Sequence, residues 1–259
     1  CVVTIGKFDG VHLGHQLIFD QLKSQAVKLD SASLVIVIEP HPEEFFARHN
    51  DIQFKRLNTI REKLELLETV GVDFVYQFNF DETTSEISAE SYIKDILVDG
   101  LGIRGMIIGD DFRFGKNRLG DYSLLEEYGE KYDYQVFKTA AYERNGHRIS
   151  STFVREQLLE SNFDLVTQIL GRPYSISGTV ARGQQLGATL GFPTCNVDPG
   201  FNRISLRGVF ACEVNLGSRN FKAAVNLGSR PTVDGEKTVL LEAHILDFNE
   251  DVYGQLIEV

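Results

Sequence analysis

An apolar run, Val2-Val3-Thr4-Ile5, passes directly into Gly6-Lys7-Phe8-Asp9-Gly10-Val11-His12-Leu13-Gly14-His15. A short buried strand ending at Gly6, a turn carrying three glycines, and two histidines three residues apart at the start of a helix predict a strand–turn–helix unit. Ile18, Leu22 and Leu29, with Leu17 and Ala26, recur at helical spacing and predict one apolar face for that helix. Its first turn presents unpaired N–H groups and partial positive charge, which suit the phosphates of a nucleoside triphosphate, with His12 and His15 projecting beside them. Imidazoles donate hydrogen bonds and take up protons near neutral pH, which fits a site where charge shifts between phosphate oxygens. The plainer alternative, one histidine capping the helix and the other lying on the surface, is outweighed by the strand and glycine context.

Residues 1–171 continue the alternation. Strands are predicted at Val2–Ile5, Leu34–Ile38, Phe74–Gln77, Met106–Ile108 and Gln135–Phe137, with helical patterns between them. This is the pattern of an α/β domain with a parallel sheet covered by helices on both faces, and its ligands belong at the carboxyl ends of the strands. Thr59 and Glu62 form a capping box for a helix ending near Val70, where Gly71 is placed to cap the C-terminus. After Gly171-Arg172-Pro173 the helical periodicity stops. Short strands separated by glycine-rich turns follow, at Tyr174–Ala181, Val209–Val214, Lys222–Asn226 and Val239–Leu246, so residues 172–259 are expected to form a small antiparallel β-barrel. The chain starts inside one predicted strand and stops at Gln255–Val259, which reads as another beginning. The C-terminal part of the barrel is therefore expected to be missing, with the last segment supplying only part of its closure.

A chain of 259 residues with a formal net charge of -11 argues against a nucleic-acid surface, and free nucleotides are the expected partners. No apolar run approaches the roughly 20 residues needed to span a bilayer, and no leader pattern opens the chain. Cys1, Cys195 and Cys212 show no metal-ligand spacing and read as reduced thiols of a cytoplasmic protein.

Three further groups carry chemistry. Pro40-His41-Pro42 follows the second predicted strand and sets His41 near the ligand crevice, though a rigid turn explains the same residues. Gly109-Asp110-Asp111-Phe112-Arg113-Phe114-Gly115 follows the fourth strand and joins acceptors, a cation and aromatic rings in one loop suited to a base or ring system. Ile149-Ser150-Ser151-Thr152-Phe153-Val154-Arg155 sets hydroxyls at a helix start and an arginine on its first turn, a combination suited to phosphates; capping alone would explain Ser151 or Thr152.

In this order, these motifs resemble the bacterial bifunctional riboflavin kinase/FMN adenylyltransferase family, the FAD synthetases. The resemblance extends through Gly171-Arg172-Pro173-Tyr174, Gly183, Gly187, Leu190 to Asn196, Gly208-Val209-Phe210, Asn226-Leu227-Gly228 and Pro231-Thr232. It implies a Rossmann-like nucleotidyltransferase domain followed by a flavokinase barrel, with ATP, riboflavin, FMN and FAD as substrates and products and Mg2+ as cofactor. By this resemblance Gly6, Phe8, Gly10, His12, His15, Asp111, Ser151, Thr152 and Arg155 bind ATP in the first domain, and Asp111 and Phe112 lie by the flavin. In the second, Gly183 and Gly187 belong to a flexible cover over phosphates. Thr194 and Asn196 hold ATP and magnesium, Asn226 meets flavin, and Glu242 is the base, with His12 and His15 the catalytic pair of the first domain. FMN's phosphate is already a nucleophile, so adenylyl transfer needs alignment and charge stabilisation rather than a base. Riboflavin attacks through an alcohol, and phosphorylating it does need one. Strand period two sets Glu242 and His244 on one face with Leu240 and Leu246, which predicts a carboxylate between apolar neighbours.

Two residues depart from the family pattern. Lys7 either adds a phosphate contact or points outward, and Cys195 introduces a thiol expected beside the metal site. Two other readings stay open at this level: adenylyl transfer alone with a flavin-binding barrel, and a flavin-binding regulator without turnover.

Overall fold

A computed structural model describes residues 1–48, 55–144, 146–182, 193–200, 206–231 and 237–259. Strands β1 (Val2–Gly6), β2 (Ser33–Glu39), β3 (Phe74–Asn79), β4 (Gly105–Gly109) and β5 (Gln135–Thr139) form a parallel sheet in the order β3-β2-β1-β4-β5. The central strands are apolar on both faces because both faces are covered. Val3, Ile5, Ile36, Met106 and Ile108 pack with Ile93, Leu97 and Leu125 on one side. Val2, Val35, Val37 and Ile107 pack with Phe19, Leu22, Ala26 and Leu67 on the other. Chain order reverses between β1 and β4, the switch point where the carboxyl ends of such strands open a crevice.

The helices of this half are α1 (Leu13–Lys28), α2 (Pro42–Arg48), α3 (Ile60–Val70), the short turns α4 (Glu82–Ser85) and α5 (Ala89–Ser91), and a π-helical segment, Tyr92–Val98. α6 (Tyr122–Tyr132), the small hairpin of β6 (Glu143–Arg144) and β7 (His147–Arg148), α7 (Ser151–Leu159) and α8 (Phe163–Leu170) follow. α1 buries Phe19, Leu22 and Ala26, while Leu17, expected on the buried face, is exposed. At 100° per residue Leu17 lies about 140° around the helix from Leu22, so Phe19 takes its place in the stripe. α3 has the predicted capping box: Thr59 accepts from the Glu62 N–H at 3.0 Å, and the Glu62 carboxylate accepts from the Thr59 N–H at 2.8 Å. Gly71 ends the helix at φ 75°.

The second half closes as a barrel of β8 (Ser177–Ala181), β9 (Cys195–Asp198), β10 (Gly208–Leu216), β11 (Arg219–Pro231), β12 (Lys237–Ile245) and β13 (Leu256–Glu258), in the order β10-β11-β12-β9-β8-β13. β9 is absent from the predicted strands; four residues directly after a Pro-Thr turn are too short for period two to stand out. The interior is lined by Val180, Val197, Val214, Val225, Leu241 and Ala243. Closure is complete where only part was expected. β13 pairs with β8 over three residues and with β10 at Asn215, and the Glu258 carboxylate accepts from Ser175 Oγ at 2.7 Å and Asn215 Nδ2 at 3.0 Å. The barrel belongs to a compact unit that also takes in Lys55–Asn58 and Val154–Gln168; Cys1–Phe54, Thr59–Phe153 and Ile169–Gly171 form the other unit.

Candidate active sites

Gly6 ends β1, and the chain then turns through Phe8 at φ 48°, Gly10 at φ 82° and Val11 at φ 40°. Two non-glycine residues in the left-handed region within one turn are costly, and such strain persists where the surroundings enforce it. Here Phe8 and Val11 are both buried in the core under α1. His12 is the N-cap of α1: its Nδ1 accepts from the His15 N–H at 3.3 Å. The two imidazoles stack, with ring centroids 3.6 Å apart and planes 19° apart, and the Phe8 ring meets His15 edge-on at 5.2 Å. Gly14 makes room for this arrangement, since a Cβ there would lie 3.1 Å from His12 Nδ1.

Accepting at Nδ1 assigns the proton of a neutral His12 to Nε2. His15 Nδ1 is buried and has no hydrogen-bond partner among the described residues. Burial first, then the neighbouring His12, Lys63 and Lys7, hold the His15 pKa well below the ordinary histidine value. The expectation that both imidazoles take up protons near neutral pH therefore fails for His15, which stays neutral there.

Ser150, not Ser151 or Thr152, caps α7, its Oγ accepting from the Phe153 N–H at 3.1 Å. Ser151 Oγ instead donates to the Asp9 carbonyl at 2.8 Å, which ties the start of α7 to the glycine turn. Thr152 is exposed, and Arg155 Nε donates to the Lys55 carbonyl at 2.8 Å. Asp111 is exposed and shares the Arg148 guanidinium with Asp110, at 2.9 and 3.1 Å. Phe112 stacks on Phe114 at 5.5 Å, and Phe114 leans on Tyr92 at 5.7 Å. Lys7 forms an ion pair with Glu43 on α2, so its amine is turned toward that helix. His41 is fully buried at the carboxyl end of β2, with Lys63 Nζ 3.0 Å from its Nε2. Lys63 is not among the residues read from the sequence. Its signal was available: Ile60, Lys63, Leu67 and Val70 fall on one stripe of α3, a lysine in a core position.

In the barrel, register decides the site. Asn226 on β11 faces Glu242 on β12, which faces Asn196 on β9, and directly paired residues share a face. The Asn226 amide donates to Glu242 Oε2 at 3.2 Å. Across the strands the neighbours of Glu242 are thus asparagines, not the apolar pair expected from Leu240 and Leu246 along the strand. Leu241, Ala243 and Ile245, on the other face of β12, are buried. His244 Nδ1 hydrogen-bonds the Pro193 carbonyl at 2.7 Å, anchoring the segment that carries Thr194 to β12. Cys195 faces the other way. It pairs with the inward-facing Ala243 and its Sγ donates to the Ala243 carbonyl at 3.3 Å, so the thiol is not beside Asn196, and burial pushes its pKa up. Gly183 and Gly187 lie outside the described residues.

The family described as FAD synthetase matches residues 1–153, and that described as riboflavin kinase matches residues 170–259. The chain is 42% identical over 260 residues to the bifunctional riboflavin kinase/FMN adenylyltransferase of Escherichia coli (strain K12), the match covering 100% of this chain and 82% of that protein. It is 38% identical over 260 residues to the protein of that name from Haemophilus influenzae, covering 100% of this chain and 83% of the relative. A solved structure titled "Crystal Structure of Macrolide-efflux Protein from Streptococcus pneumoniae" matches with a TM-score of 0.82 at 25% identity, covering 99% of this chain and 83% of that one. Among the described residues no helix is long and apolar enough to cross a membrane. With a family match on each half and 38–42% identity along its full length, this chain belongs to the bifunctional riboflavin kinase/FMN adenylyltransferase family.

Proposed function

We propose that the chain phosphorylates riboflavin to FMN with one ATP, using the barrel, and adenylylates FMN to FAD with a second, using the carboxyl end of the parallel sheet. The observation that supports this reading is that each half has an arrangement suited to phosphate chemistry: a helix N-terminus with a stacked histidine pair in one, and a carboxylate flanked by asparagines in the other.

In adenylyl transfer an FMN phosphate oxygen bonds to the α-phosphorus of ATP, the bond to the β-phosphate oxygen breaks, and pyrophosphate leaves. No proton has to be removed, so the first site needs donors rather than a base. The N-terminal end of α1, the Nε2–H of His12 and a His15 held neutral supply donors and alignment. Ser151 supports the turn through Asp9, and Thr152 and Arg155 act on phosphate. Phe112 and Asp111 serve the flavin, a ligand using Asp111 competing with Arg148 for its carboxylate.

In riboflavin phosphorylation the hydroxyl proton passes to Glu242 as its oxygen bonds to the γ-phosphorus and ADP leaves. Asn226 fixes one carboxylate oxygen of Glu242. Thr194 and Asn196 are hard oxygen donors of the kind magnesium takes, with the soft sulfur of Cys195 on the opposite face, and they would hold the ion with ATP. Bound there, magnesium supplies charge neutralisation on the phosphates.

Separation of flavins after incubation with magnesium-ATP and either riboflavin or FMN tests the reading. FMN and FAD from riboflavin, and FAD from FMN, are expected. FAD from FMN alone confines turnover to the first half, and flavin binding without product from either substrate overturns the reading in favour of a regulator.

A further inference from the structure

A lysine with no exposed surface is rare, because removing an ammonium from water is expensive unless a partner repays it. Lys63 is such a residue: its side chain is 0% exposed, its Nζ lies 3.0 Å from His41 Nε2 and 3.9 Å from Glu39 Oε2, and His41 is itself fully buried. Glu39 ends β2 and His41 follows two residues later, while β1, the neighbouring strand, delivers the Gly6–His15 turn at the same end of the sheet. α3 has no need of the charge for its own stability. Its ends are capped by Thr59, Glu62 and Gly71, and a leucine or methionine at position 63 would complete the Ile60, Leu67 and Val70 stripe.

Resting on the adenylyl-transfer reading of this crevice, we propose that Lys63 is a positioning residue for that reaction: its ammonium donates to His41 Nε2 and so fixes one tautomer and one orientation of the ring at the carboxyl end of β2. An ammonium has three donors and no acceptor, so the hydrogen bond runs from Lys63 to the ring, and the ring proton resides on Nδ1. The same buried charge sits close enough to the histidine pair to be felt there, since Lys63 is among the causes that hold His15 neutral. Among the described residues, Glu39 at the end of β2 lies 3.9 Å from the Lys63 ammonium, and His15 at the start of α1 is close enough for that charge to lower its pKa.

Two measurements test the proposal. In the unmodified full chain with 15N-labelled histidine, His41, assigned by difference from His41→Gln, is expected as the Nδ1–H tautomer. An Nε2–H tautomer overturns the proposal whatever any variant does. In kinetics, Lys63→Met, which keeps the unbranched stem, is expected to lower kcat for FAD formation at least about tenfold while the KM for FMN changes by less than about threefold. Riboflavin phosphorylation by the same chain is expected within about twofold of the unmodified rate. The double variant Lys63→Met/His41→Gln is expected to be no slower than the slower single variant, because the lysine acts through the ring. Multiplying effects, or an undiminished kcat in Lys63→Met, overturn the proposal and leave the adenylyl-transfer reading standing. That reading fails separately if the unmodified chain forms no FAD from FMN. If Lys63→Met does not fold, the tautomer measurement decides.

Discussion

Glu242 and His15 show how one side chain's surroundings set its task. Glu242→Gln keeps the size and the hydrogen-bonding capacity toward Asn226 but cannot take a proton, so FMN formation should fall about 10²–10⁴-fold with FAD formation from FMN nearly unchanged. Rates with each flavin measured separately check this. His15 makes a prediction about pH. Its pKa in the folded chain lies well below the ordinary histidine value of about 6.5, chiefly through burial, so the unfolded chain binds a proton there at a pH where the folded chain does not. The His15 contribution to stability is therefore fully present above about 6.5 and is lost as pH falls toward the folded pKa. Melting curves of the unmodified chain and His15→Asn from pH 7.5 to 5.5 should show the unmodified chain losing stability relative to the variant; parallel curves would contradict the assignment. The sequence reading sets a capping histidine against a phosphate-binding pair without saying which of the two would cap, and the structure gives the cap to His12. One ring has two nitrogens, and Nδ1 caps the helix while Nε2 keeps the proton.

α1 and α3 show at the level of elements what periodicity conveys and what it hides. The capping box and Gly71 are local signals set by side-chain reach over one turn, and they appear where the sequence puts them. Thr59→Ala should therefore cost about 1 kcal/mol of stability, seen as a lower melting temperature with both activities retained. The buried face of α1 is less legible, because Leu17 and Phe19 are both apolar and only the angle to the sheet chooses between them. Lys63 is hidden for the opposite reason. In Arg61-Glu62-Lys63-Leu64-Glu65 its charge reads as solvent-facing although its position on the stripe is a core one. At Gly14 two effects oppose each other. Alanine is the better helix former, yet its Cβ would crowd the His12 imidazole at 3.1 Å and disturb the cap. Gly14→Ala is expected to melt within a few degrees of the unmodified chain and to make FAD about tenfold more slowly, the cost of a displaced ring in an aligned site. An unaltered rate would show that the stack has no part in the reaction.

Across the whole molecule, the switch from period 3.6 to period 2 after Gly171 makes the change from parallel sheet to barrel visible before any coordinates. The pairing of Asn226, Glu242 and Asn196 is not visible, since register between distant strands is set by how the barrel closes. That is why period two describes the surroundings of Glu242 along its own strand and misses the asparagines on the neighbouring strands. Closure depends on Glu258, whose carboxylate takes hydrogen bonds from both Ser175 and Asn215. Glu258→Ala should destabilise the barrel by about 1–3 kcal/mol, because both donors lose their partner. If two complete reactions reside on separate residues of one chain, Glu242→Gln and His12→Asn separate them, the asparagine retaining capping ability without the imidazole. Each variant is incubated with magnesium-ATP and riboflavin, alone and mixed, and the flavins are separated. Glu242→Gln alone should leave riboflavin unconverted, His12→Asn alone should stop at FMN, and the mixture should make FAD. Loss of both activities in either single variant, or a mixture that yields no FAD, would show that the two reactions do not reside on separate residues.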